Sequence, residues 1–418
     1  YTGGDFMDYI PLLKLFYTNR ENYNEIYMQR YNNENAVHLN FKIHDNQAFF
    51  IKLPEFIPKI IEIYKIDKEI AKLRWQLPPI AINHFFTKCL IDEIILTNDI
   101  EGVNSTRKEI SSILSDLELQ SKVKHKGERF YGLVQKYVLL KDDNEIMKFE
   151  SCEDIRHLYN ELVYNEIEED DPDNLPDGKL FRKDSASVVT PTQKTIHTGV
   201  YPENNIINSM ENALSILNDN SIELIFRVAV FHYLFGYIHP FYDGNGRTSR
   251  FISSYLLSKE FESIMAYRLS YSIKENISDY YNAFKICNDT RNKGDLTPFI
   301  IMFIDIIYSS LLKLKESLEE KHSQLSYYFE RIINLPDGTD DKYFSLYSLL
   351  LQASLFSNEG ISTGELMKIL KISRTTLLKR IENLKKYNLI IIKAISNTNN
   401  YWLNLDVVDK FNSIADEN

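Results

Sequence analysis

His239-Pro240-Phe241-Tyr242-Asp243-Gly244-Asn245-Gly246-Arg247-Thr248-Ser249-Arg250 is the stretch from which the rest of this 418-residue chain is read. A histidine is followed four residues later by an acid, then by Gly244-Asn245-Gly246, then by two arginines three apart. Glycines let backbone N–H groups approach a ligand closely, and a helix starting at this turn adds its positive dipole end, so the turn is a ready anion site. Arg247 and Arg250 share one face of that helix, where two guanidinium forks can clamp a polyphosphate. Asp243 beside them suits Mg2+, which takes few carboxylates and shares its shell with substrate oxygens. His239 has the near-neutral pKa needed to take a proton from an attacking hydroxyl. Together the residues imply phosphoryl or nucleotidyl transfer; the alternative is a helix-capping histidine, a solvent turn and two surface arginines.

Working outward, Ile222–Tyr237 is apolar almost all round and belongs in a core. Residues 186–190 and 195–200 alternate around Pro191-Thr192-Gln193-Lys194 and predict a small hairpin. Helical spacing of apolar residues covers 60–73, 84–101, 108–117, 131–140, 152–164, 206–217, 246–257, 279–287 and 298–321, with Gly102 placed to cap the second of these. The acidic, Pro-containing run from Glu166 to Gly178 predicts an exposed loop. The expected fold is mainly α, a helical core with a hairpin flap, and Leu335-Pro336-Asp337-Gly338 marks a boundary before a distinct tail.

Bulk properties narrow the class. A 49.1 kDa chain with 44% hydrophobic and 26% charged residues can bury a sizeable core and is expected to hold two or three structural units. The formal net charge of −11 argues against a surface that tracks nucleic acid throughout, leaving room for a local basic patch. Cys89, Cys152 and Cys287 are far apart, without a zinc or disulfide pattern, and predict reduced thiols. No leader-like start is present and no stretch is expected to reach the roughly 20 apolar residues of a membrane helix, so a cytoplasmic location without membrane contact is expected.

The run from His239 to Arg250 resembles, at every defined position, the signature of the Fic (filamentation induced by cAMP) family, His-x-Phe-x-Asp/Glu-Gly-Asn-Gly-Arg-x-x-Arg. The similarity extends through Tyr280-Tyr281-Asn282-Ala283-Phe284 and Gly294-Asp295-Leu296-Thr297, and covers about residues 79–308. The Doc branch, which phosphorylates its targets, carries lysine where this chain has Gly246; glycine resembles the adenylyl-transferring branch. The resemblance implies a protein adenylyltransferase that moves AMP from ATP to Ser, Thr or Tyr hydroxyls of target proteins and of itself. In that reading His239 is the base, Asp243 binds Mg2+, and Phe241 packs inward. Asn245, with the backbone at Gly244 and Gly246, cradles the α- and β-phosphates, and Arg247 and Arg250 take the β- and γ-phosphates. Removal of AMP at the same site is the alternative direction.

Thr97-Asn98-Asp99-Ile100-Glu101-Gly102 resembles the family's inhibitory motif, Ser/Thr-x-x-x-Glu-Gly/Asn, upstream of the catalytic run. The resemblance implies that Glu101 pairs with Arg250 and keeps the γ-phosphate out of its productive place. It also implies that the 186–200 hairpin pairs with an extended segment of a protein substrate. The tail resembles a winged helix: 361–370 and 373–384 as helix-turn-helix, 389–393 and 401–405 as the wing, with Arg374, Lys379, Arg380, Lys385 and Lys386 giving it basic character. It is expected to serve in a homodimer, in target docking, or on DNA; a DNA-binding regulator with a nucleotide-sensing core is the rival reading. The expected organisation is a helical N-terminal region over 1–78, a catalytic core over 79–310, a connector over 311–342 and the tail over 343–418.

Overall fold

The computed structural model describes residues 9–118, 129–141, 146–189, 195–395 and 398–416. Contacts divide the chain into two units, Tyr1–Ile66 with Asp92–Leu311, and Asp67–Ile91 with Leu312–Asn418. The described residues are mainly helical, with small antiparallel sheets of two, two and three strands, as the spacing predicts.

The first unit is organised on helix Leu224–Ile238, in which twelve of fifteen residues are buried. An all-round apolar helix can satisfy every face only inside a core. Helices Glu203–Leu217 and Asn245–Glu260 pack against it. The latter is the motif helix, and it buries Arg247 and Arg250 along with Phe251 and Ile252. Its hydroxyls return to the backbone: Thr248 Oγ1 donates to the Gly244 carbonyl at 2.8 Å and Ser253 Oγ to that of Ser249 at 2.9 Å. These two hydroxyls thereby enter the core with their donors satisfied.

Two parts of this unit differ from expectation. A hairpin of strands Ala36–Ile43 and Asn46–Ile51 lies in sequence between helices Tyr23–Tyr31 and Phe56–Gln76. Leu39, Phe41 and Ile43 alternate inward and the turn passes through His44 at φ 53°. Its tip docks on the core, where His44 N donates to Tyr237 Oη at 2.9 Å and His44 Nε2 meets the Asn288 carbonyl at 2.8 Å. The expected exposed loop from Glu166 onward is, through Asp170, a helix (Tyr164–Asp170) in which Glu166 and Ile167 are buried. The acidic composition suggested solvent, but a buried cation elsewhere in the fold holds Glu166 inside. The strands Ser187–Val189 and Thr195–Thr198 form the expected second hairpin, while its turn lies outside the described residues.

One expectation is corrected. Thr297–Asn334 is long and apolar enough to cross a membrane by length and composition, although 67% of its apolar window is buried within the fold, as in a core helix. All three cysteines are free and buried.

In the second unit helix Asp341–Phe356 is followed by strand Ile361–Ser362, helices Thr363–Leu370 and Arg374–Lys385, strands Ile390–Ile395 and Thr398–Leu403, and helix Leu405–Asp416. The strand over 398–403 lies between the other two, antiparallel to both. Ser362 and Glu365 form a reciprocal capping box, and Ser373 Oγ accepts from Thr376 N. Leu377, Ile381 and Leu384 bury one stripe of helix Arg374–Lys385, and the opposite side is open to solvent.

Candidate functional site

The turn between the core helix and the motif helix is closed by one side chain. Asn245 Oδ1 accepts from Phe241 N at 2.9 Å and its Nδ2 donates to the Phe241 carbonyl at 2.7 Å. Both polar ends of Asn245 are therefore spent shaping the turn, and what this residue offers an anion is its backbone. Phe241 is fully buried, stacked on Tyr159 at 3.8 Å and edge-on to Phe181 at 5.5 Å. Gly244 takes φ 78°, and a Cβ there would lie 2.8 Å from Val163 and 3.2 Å from Tyr159. Handedness and crowding both exclude other residues. The N-terminus of a sixteen-residue helix is thus held rigidly at the mouth of the turn.

Arg247 is fully buried on this helix. Its Nη1 pairs with Glu166 and its Nη2 lies 3.6 Å from Asp243 Oδ1, while Nε and Nη2 have no hydrogen-bond partner. Buried donors without acceptors are costly unless a ligand meets them. Burial pushes the Glu166 carboxyl up, against the opposing pull of Arg247. Asp243 is partly exposed and turns one oxygen toward the Gly244 amide. A single accessible carboxylate beside an anion turn fits Mg2+, which keeps waters and phosphate oxygens as its other ligands.

Arg250 is 1% exposed and held from two sides. Its Nε donates to Thr97 Oγ1 at 2.8 Å, and its Nη2 to the Thr97 carbonyl at 2.9 Å and to Glu101 Oε1 at 2.8 Å. Burial works to lower its pKa, but the Glu101 carboxylate together with Tyr280 and Tyr137 raises it overall. Glu101 sits just beyond helix Pro79–Ile100, followed by Gly102 at φ 78°, and its side chain is 24% exposed. Its carboxylate lies against Gly246, where a Cβ would come 2.0 Å from Glu101 Oε1. The pairing expected between positions 101 and 250 is present.

On the other side Tyr280 lies close enough to feel the Arg250 charge, and its hydroxyl meets His232 Nε2 at 2.8 Å. Ser253 Oγ gives its proton to the Ser249 carbonyl, so His232 Nδ1, 2.9 Å away, carries the donor proton and Nε2 accepts from Tyr280. Burial first, then the Arg250 charge, hold His232 at about 3, neutral as this chain requires. His232 is thus a core residue, and no group of three His, Cys, Asp or Glu suited to a metal occurs among the described residues.

His239 ends the core helix in the left-handed region, φ 52°, and its side chain is half-buried. Burial, then the Arg182 charge and the neighbouring His197, push its pKa down to about 3, so the ring is neutral with a free acceptor nitrogen. Sequence reasoning missed Arg182. It is fully buried, and its Nε donates to the His239 carbonyl at 2.8 Å and its Nη2 to the Val200 carbonyl at 2.8 Å, tying His239 to the end of the 195–198 strand. A Cβ on Gly199 would come 2.4 Å from Arg182 Nη2 and 2.9 Å from His239 Cβ. Glu166, Tyr280 and Arg182 share no local sequence signal with the motif; each is found only by its burial as a polar residue.

A model of the Fic/DOC family matches residues 149–257, which include the whole turn and both arginines but not Glu101. Proteins called protein adenylyltransferase Fic from Drosophila grimshawi and Drosophila virilis are 32% and 31% identical to the chain over 106 residues, 25% of this chain and 20% of each relative. The chain thus spans about a fifth of the length of the curated relatives it matches. A crystal structure of a Fic family protein from Desulfovibrio desulfuricans G20 is 18% identical with a TM-score of 0.45, covering 82% of this chain and 95% of that one. Residues 149–257 thus carry a Fic/DOC domain, which includes the complete His239–Arg250 turn.

Proposed function

We propose that the chain is a protein adenylyltransferase that moves AMP from ATP onto Ser, Thr or Tyr hydroxyls of a protein substrate and of itself, held back by Glu101. The observation that carries this is the fully buried Arg247, with two donors lacking partners beside a helix N-terminus and an accessible carboxylate. A triphosphate supplies the acceptors those groups lack.

In the proposed reaction the neutral His239, using its free ring nitrogen, takes the proton of the substrate hydroxyl as that oxygen bonds to the α-phosphorus. The bond from the α-phosphorus to the bridging oxygen breaks and pyrophosphate leaves. Backbone N–H groups at Gly244, Asn245 and Gly246 orient the α- and β-phosphates, and Arg247 and Arg250 neutralise the β- and γ-phosphates. Asp243 is the residue that would hold Mg2+, which when bound neutralises charge on the phosphates. Positioning and charge neutralisation supply most of the rate in such transfers. The hairpin of strands 187–189 and 195–198 is tied to His239 through Arg182, which supports its use as the edge on which a substrate segment aligns its hydroxyl.

The test is intact-mass spectrometry after incubation with ATP and Mg2+, using the Glu101→Gly protein and the same protein with His239→Ala. Gain of AMP in the first and none in the second is expected. Gain of phosphate, or no gain in either, overturns the proposal, and release of AMP from pre-modified protein assigns the hydrolytic direction instead.

A further inference from the structure

One stretch of the second unit carries a charge opposite to that of the chain. Residues 363–393 hold eight Lys or Arg against two Glu, within a protein of net charge −11. Both acids are already occupied: Glu365 caps its own helix and lies 3.6 Å from His84, and Glu382 is bound by Lys385 at 2.6 Å. Lys368, Lys371, Arg374 and Lys379 have no ion-pair partner among the described residues. Such a concentration of like charge costs stability through mutual repulsion unless an anion meets it.

Its geometry is specific. Helix Arg374–Lys385 buries Leu377, Ile381 and Leu384. The opposite ridge, Thr375, Lys379, Glu382 and Lys386, is exposed from end to end and flanked by exposed Arg374 and Lys385. The helix before it, Thr363–Leu370, ends at Lys371 in the left-handed region, and a short turn joins the two, with the outer face of the second open to solvent. Ser373 caps this helix, its Oγ accepting from Thr376 N at 3.2 Å. Beyond it the strands 390–395 and 398–403 form a hairpin, with Lys393 over the Trp402 ring at 5.5 Å.

We propose that this face binds duplex DNA, with helix Arg374–Lys385 in the major groove and Lys368, Lys371, Arg374, Lys379 and Lys386 on the phosphates. A helix with its side chains is about 10–12 Å across, matching a B-form major groove of about 12 Å, whereas the deep narrow groove of A-form RNA does not admit one. An acidic protein partner would meet the same charges, but it would not need an exposed helix face flanked by a hairpin.

The test uses the full chain and a fluorescein-labelled duplex of about 20 base pairs, two helical turns, in anisotropy titrations. Five phosphate contacts give a slope of about −4.5 in log K against log salt, a loss of roughly 10^2 to 10^3 in affinity between about 50 and 200 mM. Arg374→Glu, Lys379→Glu and Lys386→Glu combined should abolish binding at low salt. Because all three positions are exposed, the unfolding midpoint should stay near that of the parent protein, and Lys379→Glu alone serves should the triple variant fail to fold. No binding at low salt, equal binding of duplex RNA, or charge-reversal variants that bind as the parent does would overturn the proposal. A change of oligomeric size on charge reversal, without loss of DNA binding, would also overturn it and assign the face to contact between copies.

Discussion

Replacing Glu101 by glycine removes one charge-assisted hydrogen bond, the 2.8 Å contact to Arg250 Nη2, and leaves the two Thr97 contacts to the same guanidinium intact. Such bonds contribute about 1.5–3 kcal/mol. Glu101 is partly exposed, so solvent screening places the stability loss toward the lower end, about 1–2 kcal/mol. Glycine costs little at this position because it follows the last helical residue. If Arg250 must leave Glu101 before it can take a γ-phosphate, the same free energy sets the fraction of unbraked protein. At tenfold per 1.4 kcal/mol, Glu101→Gly should then raise AMP transfer roughly 5- to 30-fold. Intact-mass time courses across a range of ATP concentrations measure the gain, and chemical denaturation measures the cost. Adding Arg250→Ala should erase the gain. A Glu101→Gly protein that transfers no faster at any ATP concentration refutes the brake, whatever happens to its stability.

Four further outcomes follow from buried polar groups. Glu93 is fully buried and burial pushes its pKa up from 4.5 to about 7, the amide of Ser270 only partly opposing this at 2.9 Å. Its folded pKa exceeds the unfolded one, so its protonated form stabilises the protein below about pH 4.5 and that contribution is lost as pH rises through 7, about 3 kcal/mol in all. Glu93→Gln should flatten this fall in denaturation midpoints between pH 5 and 8; an unchanged slope would remove Glu93 as its cause. Glu166→Gln should cost about 1–3 kcal/mol by leaving Arg247 without its carboxylate, a loss that urea unfolding would detect. In the Glu101→Gly background, Tyr280→Phe should raise the KM for ATP by up to roughly tenfold with kcat little changed, since its hydroxyl interacts electrostatically with Arg250 and makes no hydrogen bond to His239. Equal losses in kcat and in kcat/KM would assign Tyr280 a different role. His239→Ala should abolish transfer while nucleotide binding, followed by calorimetry, persists.

The parts legible in the sequence are those whose contacts are local. Asn245 reaches Phe241 four residues away, Gly244 needs its own φ, and the apolar spacing of 224–238 encodes a buried helix. The 36–51 hairpin was legible too, in the alternation of Val37, Leu39, Phe41 and Ile43, but a single short alternation is easily passed over in a chain of helices. Glu166 was misassigned because composition reports the average fate of an acidic run, and its partner is 81 positions away. Arg182 and Tyr280 act through backbone carbonyls and a guanidinium that only the fold brings near them.

Gly246 joins what the local and distant contacts separate. As part of the anion turn it needs only a bare backbone, yet the space a Cβ would take is filled by Glu101 Oε1 at 2.0 Å and Arg250 Nη1 at 2.8 Å. Neither atom is backbone; both are ends of flexible side chains, so Gly246→Ala is met by displacement of the pair, with the helix left in place. A shift of about 1 Å takes a 2.8 Å bond outside hydrogen-bonding range. The Ala variant should therefore release the brake without touching position 101, raising transfer above the parent protein. In the Glu101→Gly background the methyl meets only Arg250 and should bring no gain. Intact-mass time courses on the four proteins separate this from simple damage to the anion turn, which would lower transfer by the same factor in both backgrounds.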